Sequence, residues 1–162
     1  MQKLRLFSKR TDNMTKGEIA KKNFESGLNC AQAVLLAFCE DYGMEKETAL
    51  MISAPFGGGM GRLREICGTF SGINMVLGLA RGDGNKAELY KDVQNLAKRF
   101  TEDNGSIICR ELLGLSIMGK DNPIPSPRNE KYYKKRPCSE LCRYAADLLE
   151  EFLSQDKNKV QQ

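Results

Sequence analysis

Six cysteines and no histidine set the chemistry open to this 162-residue chain. The thiols are Cys30, Cys39, Cys67, Cys109, Cys138 and Cys142. Without imidazole there is no Cys–His nucleophile pair and no zinc site of the mixed Cys/His kind. A histidine-ligated haem is excluded as well, and no Cys-x-x-Cys-His attachment motif is present, so no haem is expected. What remains is sulfur chemistry: thiol–disulfide exchange, persulfide chemistry, or a metal held by thiolates.

Four of the six share a local context. Cys30 follows Asn29, a good N-cap. Cys67 stands just before the apolar run that starts at Phe70, and Cys109 falls in the first turn of a short predicted helix. Cys138 follows Pro137, in the surroundings of a helix start. A helix N-terminus offers free N–H donors and partial positive charge, and both favour a thiolate. Thiol pKa values at such positions fall from about 8.5 towards roughly 3.5–7.5. Arg62 and Arg64 near Cys67, and Arg110 beside Cys109, would push the same way, although Arg62 and Arg64 read equally well as solvated surface residues. The expectation is four activated thiolates converging on one point. Cys39, late in an apolar helix, reads as a small core residue. Cys142 lies one turn after Cys138, and Cβ atoms so spaced are roughly 5–6 Å apart, too far for a disulfide. It reads as core, with a shared metal as the alternative.

Between these cysteines lies Phe56-Gly57-Gly58-Gly59-Met60-Gly61-Arg62. Four glycines in five positions are costly to order, and glycine is used where the backbone takes a positive φ or approaches something closely. Gly57, Gly58, Gly59 and Gly61, with Gly68 beyond Cys67 and Arg62 as an anion partner, are the expected backbone cradle for a thiolate, a sulfide or a small anion. A nucleotide loop is disfavoured. No strand precedes the glycines, no Gly-Lys-Ser/Thr follows, and the third glycine of a dinucleotide fingerprint is missing.

The elements that must position these residues are all predicted helices. Thr15 and Glu18 have capping-box spacing, and the helix they open ends at Gly27. Cys30 to Cys39 is apolar nearly all round, which makes it a central helix, closed by Gly43. Lys46 to Ala54 is a shorter helix ended by Pro55. Phe70 to Leu79 is a second buried helix, where Gly72 and Gly78 would permit close helix contact. Lys86 to Thr101 is amphipathic. Ser106 would cap a short helix through Leu113, ended by Gly114. Gly119 to Pro137 is a polar connection, its basic run Lys131 to Arg136 read as a solvated loop. Cys138 to Leu153 is strongly amphipathic. No stretch alternates at period two. The fold class is therefore all-α, a compact bundle of about six or seven helices with a Gly-rich loop. One helical domain spans 14–155, between a weakly ordered arm at 1–13 and a frayed polar tail at 156–162.

Composition narrows the function classes. A 41% hydrophobic, 28% charged chain with a net charge of +4 fits a soluble globular protein. The basic residues are scattered, so no nucleic-acid surface is indicated. No apolar run reaches the roughly 20 residues of a membrane span. Met1 to Asn13 carries no apolar leader core, and a cytoplasmic location with reduced thiols is expected. The two helices that are apolar all round would fill a monomer core or meet in a homodimer.

Asn29-Cys30-Ala31-Gln32-Ala33-Val34, the loop Phe56 to Gly61, and Cys67-Gly68-Thr69-Phe70-Ser71-Gly72 running into Met75 to Leu79 resemble the redox-active proteins named for their C_GCAxxG_C_C pattern. The likeness continues through Cys109-Arg110-Glu111-Leu112-Leu113-Gly114 and Cys138, and covers roughly Ala20 to Phe152. It implies Cys30, Cys67, Cys109 and Cys138 as the family's four cysteines, the same four picked out by the helix starts. Thr69 stands where the family pattern has alanine. The family is also similar to part of the split-Soret cytochromes, of which only an iron–sulfur site could be shared here. Three functions are carried forward. The first is a redox-active cysteine protein acting on a redox partner or a small sulfur-containing substrate, a thiol oxidoreductase if an enzyme. The second is an iron–sulfur or other Cys-ligated metal centre on the same four residues. The third is a helical binding module with structural cysteines.

Overall fold

The computed structural model describes residues 13–115 and 121–159. The arm expected at 1–13 falls outside them except for its last residue, as does the end of the tail. The long helices are α1 (Lys16–Glu25), α2 (Cys30–Phe38), α3 (Lys46–Ser53), α4 (Gly68–Arg81), α5 (Lys86–Asn104) and α8 (Cys138–Lys159). Two short ones, α6 (Cys109–Leu112) and α7 (Glu130–Lys135), lie between α5 and α8. The one β feature among the described residues is an isolated antiparallel bridge between Ile66 and Ile108. The chain is all-α, as its periodicity requires.

Local chemistry sets most boundaries. Thr15 and Glu18 form the full capping box of α1, and Asn29 forms one with Gln32 at α2. Those two side chains also reach outward. Asn29 Nδ2 donates to Ala54 O at 2.9 Å and Gln32 Nε2 to Leu50 O at 3.0 Å, which pins the start of α2 to α3. Helix α2 stops at Phe38 and tightens into a 3₁₀ turn, Cys39–Tyr42, that Gly43 closes in the left-handed region at φ 71°. Pro55 does not end the run after α3, because the chain continues as a 3₁₀ turn over Ala54–Phe56. Proline removes an N–H that a first-turn position does not use.

Helix α2 is the hub. It packs on α1, α3, α4 and α8, while α8 also lies along α1. Phe24, Val34, Leu35, Phe38, Ile73, Val76, Leu77, Phe100, Leu148 and Leu149 fill the space between them. Each such side chain contributes about 1.5–3 kcal/mol of apolar burial. Of the two glycines of α4, only Gly72 serves close packing: a Cβ there would lie 2.7 Å from Val34 Cβ. Gly78 has nothing within 4 Å of its would-be Cβ, so the close contact expected there is absent. Cys39 is fully buried in the core. Among the described residues no helix is long and apolar enough to cross a membrane.

The polar connection expected at Gly119 to Pro137 contains a helix. Asn129 caps α7 by accepting from Tyr132 N at 2.9 Å, and the basic run is that helix rather than a solvated loop. Residues 119 and 120 lie outside the described part.

Candidate functional site

Helix starts place the four family cysteines. Cys30, Cys109 and Cys138 are first residues of α2, α6 and α8, and Cys67 directly precedes α4. All four line a single cavity of about 250 Å³. Gly57, Gly58, Gly59, Gly61, Arg62 and Gly68 line it too, so every residue proposed from the sequence reaches the same space. Arg64 lines it as well, and so do Arg128, Tyr132 and Arg136, which sequence reasoning did not connect with the site.

The glycine loop is a left-handed turn. Gly58, Gly59, Met60, Gly61 and Arg62 all have φ between 54° and 67°, and Arg64 follows at φ 60°. For the three non-glycine residues this conformation costs of order 1–2 kcal/mol each, and strain of this kind clusters at functional sites. Its structural effect is to bring backbone to the cavity wall. A Cβ on Gly59 would lie 2.6 Å from Cys109 Cβ and 2.7 Å from Glu65 N. The strand-like pairing after the loop fixes the rest: Cys67 N donates to Ile107 O at 2.8 Å, Cys109 N to Glu65 O at 2.6 Å, and Arg110 N to Arg64 O at 3.2 Å.

The helix starts were expected to lower the thiol pKa values, yet burial pushes them up. The Cys67 thiol rises to about 11 because it is buried, although the Thr69 hydroxyl and backbone N–H pull the other way. Burial also raises Cys109, against the opposing pull of the Arg64 guanidinium. Cys138 is raised first by the neighbouring Cys30 thiol and then by burial. The neighbouring Cys138 thiol pulls the Cys30 pKa down and the Cys142 thiol pushes it up; with burial added the net shift is well upward. At α6 and α2, backbone donors that could have stabilised anionic sulfur are used elsewhere. The first N–H groups of α6 serve the chain at 64–65, and Gln32 N at α2 is taken by Asn29. Burial thus favours the neutral form of these thiols.

The individual surroundings differ. The Cys67 Sγ lies 3.1 Å from the Thr69 hydroxyl, so the residue that departs from the family pattern touches a family cysteine. Arg64, 2% exposed, is a buried residue and not a solvated one. Its Nη1 donates to Cys109 Sγ at 3.7 Å, and its Nε and Nη2 to Asp121 Oδ2 at 3.1 and 2.9 Å. Arg62 shares that same oxygen at 2.9 Å, and both arginines hold the Asp121 carboxyl below its ordinary pKa. Arg110 does not assist Cys109; it pairs with Glu65. Cys142 is completely buried and faces Cys30 from beneath. Among the described residues no three Cys, Asp or Glu side chains stand close enough together to hold a metal ion.

Arg128, Tyr132 and Arg136 are four residues apart, a helical spacing in the stretch read as a loop. That spacing, with Asn129 as a cap, was the available signal. In the fold both guanidiniums lie over the Tyr132 ring, at 4.9 and 4.8 Å. Arg128 also sits 4.2 Å from the Phe24 ring.

A helical bundle whose helix starts bring four cysteines and a left-handed glycine turn to one cavity defines a class: an all-α protein with a cysteine-lined site. The particular family follows from the sequence profile. The family described as "Putative redox-active protein (C_GCAxxG_C_C)" matches residues 28–152, and the chain belongs to it. No curated protein and no solved structure matches the chain.

Proposed function

We propose that this chain is a dithiol–disulfide redox protein in which Cys30 and Cys138 form the couple. One observation carries the reading: Cys30 and Cys138, the first residues of α2 and α8, are neighbours on the wall of one cavity. Cys30 is the least buried of the six cysteines, all of which are free thiols. In the forward direction the Cys30 sulfur attacks a disulfide of the partner and releases one partner thiol. Cys138 then attacks the mixed disulfide at Cys30 and releases the second. The partner's sulfur–sulfur bond is reduced, the two cysteines are oxidised, and their two protons leave with the two partner thiols. Cys142 is a neighbour of Cys30 but does not line the cavity, which favours Cys138 as the resolving thiol. A couple kept in the thiol form fits a cytoplasmic setting.

The raised thiol pKa values govern the rate. With no histidine to take a proton, attack depends on the small thiolate fraction, so the reaction accelerates as pH climbs above neutral. A thiol count before and after mild oxidation tests the couple. Two thiols lost, regained with dithiothreitol, and no loss in Cys30→Ser or Cys138→Ser are expected. Six thiols persisting through oxidation would overturn it.

A thiolate-held metal or iron–sulfur centre is the second reading: Cys30, Cys67, Cys109 and Cys138 share one cavity, but no three of them stand close enough to hold a metal as placed, so binding would have to draw them together. These four would be its ligands. Stoichiometric metal with acid-labile sulfide in anaerobically purified protein would put this reading first.

A further inference from the structure

Charge around the cavity is one-sided. Four arginines line it and no carboxylate does. Arg62 and Arg64 share Asp121, which leaves one of their two charges uncompensated. Arg128 and Arg136 meet no carboxylate among the described residues. Arg128 donates to the carbonyls of Phe24 and Leu28 at 3.3 and 3.1 Å, and Arg136 to the Ser126 hydroxyl at 3.3 Å. Both guanidiniums lie close enough to favour the ionised form of the Cys138 thiol. Phe24, Leu112, Leu113 and Leu141 give the wall an apolar part, beside the neutral polar Asn29 and Ser126. Cation–anion attraction is stronger there than in water.

Resting on the dithiol reading, we infer that the cavity takes a small dianion carrying a sulfane sulfur, held by Arg128 and Arg136 with that sulfur presented to Cys30 and Cys138. Thiosulfate is the stable probe of this class. A Cys30 thiolate attacks the sulfane sulfur, the sulfur–sulfur bond of thiosulfate breaks, and sulfite leaves with the bonding pair. Cys138 then attacks the Cys30 sulfur of the resulting persulfide and hydrogen sulfide leaves. Two thiols and one thiosulfate give one disulfide, one sulfite and one hydrogen sulfide. The thiols are oxidised and the sulfane sulfur is reduced to sulfide, with no further oxidant.

The experiment is anaerobic incubation of the reduced chain with thiosulfate, following sulfite release and thiol loss, with the uncharged oxidant diamide in parallel. One sulfite per two thiols lost is expected. In Arg128→Gln/Arg136→Gln the ratio of the thiosulfate rate to the diamide rate should fall about tenfold or more, and that ratio should also fall with rising salt in the parent. Arg136→Gln alone, which leaves the Arg128 bonds to α1 in place, gives the same direction if the double variant does not fold. No sulfite release, or an unchanged ratio in both variants, overturns the inference. Failure of the couple is read separately. Calorimetry of thiosulfate with Cys30→Ser/Cys138→Ser reports the anion site without the dithiol, and absence of binding there overturns the inference even when diamide closes the couple.

Discussion

The bundle around α2 and the segment from Gly57 to Cys67 are ordered by opposite means. Around α2, caps, helix-forming residues and apolar faces all favour the same state, and packing of those faces completes it. Between Gly57 and Cys67 the local preferences run against the observed backbone. Met60, Arg62 and Arg64 adopt positive φ, and Arg64 is buried with its charge. Besides its own turn bonds from Leu63, Arg64 and Glu65 N back to Met60, Gly58 and Gly59 O, that segment is held by hydrogen bonds with Asp121, Ile107 and Cys109, all distant in sequence. Where structure serves packing, sequence and backbone agree; where it serves the cysteines, the backbone is imposed from outside.

The largest test of this contrast is Gly59→Val. At φ 67° and with Cys109 Cβ 2.6 Å from the added atom, overpacking and strain should together remove about 3–5 kcal/mol. A urea midpoint within error of the parent would mean that the loop is not a close-packed wall of the site.

Alkaline pH should come next. A folded-state pKa raised above the unfolded value gives stability that is present below the unfolded pKa and lost as pH rises towards the folded one. For buried Cys67, raised from 9.0 to about 11, the loss is about 3 kcal/mol across that window. Denaturant midpoints at pH 7, 9 and 10.5 should fall through the last interval, and less so in Cys67→Ala. A midpoint indifferent to pH would place the Cys67 thiol in a far wetter setting.

Arg64→Gln separates the loop's charge from its shape. Without the guanidinium, Cys109 loses the main opposition to the effect of burial and keeps only the weaker pull of the Arg136 charge. Its alkylation at pH 8, followed by peptide mass analysis, should slow about tenfold, as for a one-unit rise in thiol pKa. Equal rates would show that Arg64 serves Asp121 alone. The smallest effect belongs to the bundle. Gly78→Ala in α4, with open space at its Cβ, should stabilise by roughly 0.5–1 kcal/mol. A loss there would show that helix propensity does not govern α4.

Much of the fold was legible because its signals are local. Thr15, Asn29, Gly43 and the apolar face of α8 act through neighbours within a turn or two, so reading them needs no knowledge of the rest. The four cysteines were legible for the same reason: each stands at a helix start written in its immediate surroundings. Helix α7 was missed because charges on Lys131, Lys134 and Lys135 hide the spacing of Arg128, Tyr132 and Arg136.

The sequence by itself determined an all-α chain, its principal helix starts, and which cysteines and glycines would stand together. Only the tertiary structure decided the state of the thiols and the partners of the arginines. Desolvation is a sum over every group packed around a sulfur, and those groups come from α2, α4, α6 and α8 at once. The same sum makes Arg64 a buried partner of Cys109 and Asp121, and leaves Arg128 and Arg136 facing the cavity. Helix ends set where the cysteines lie; the closed bundle set how readily they lose a proton.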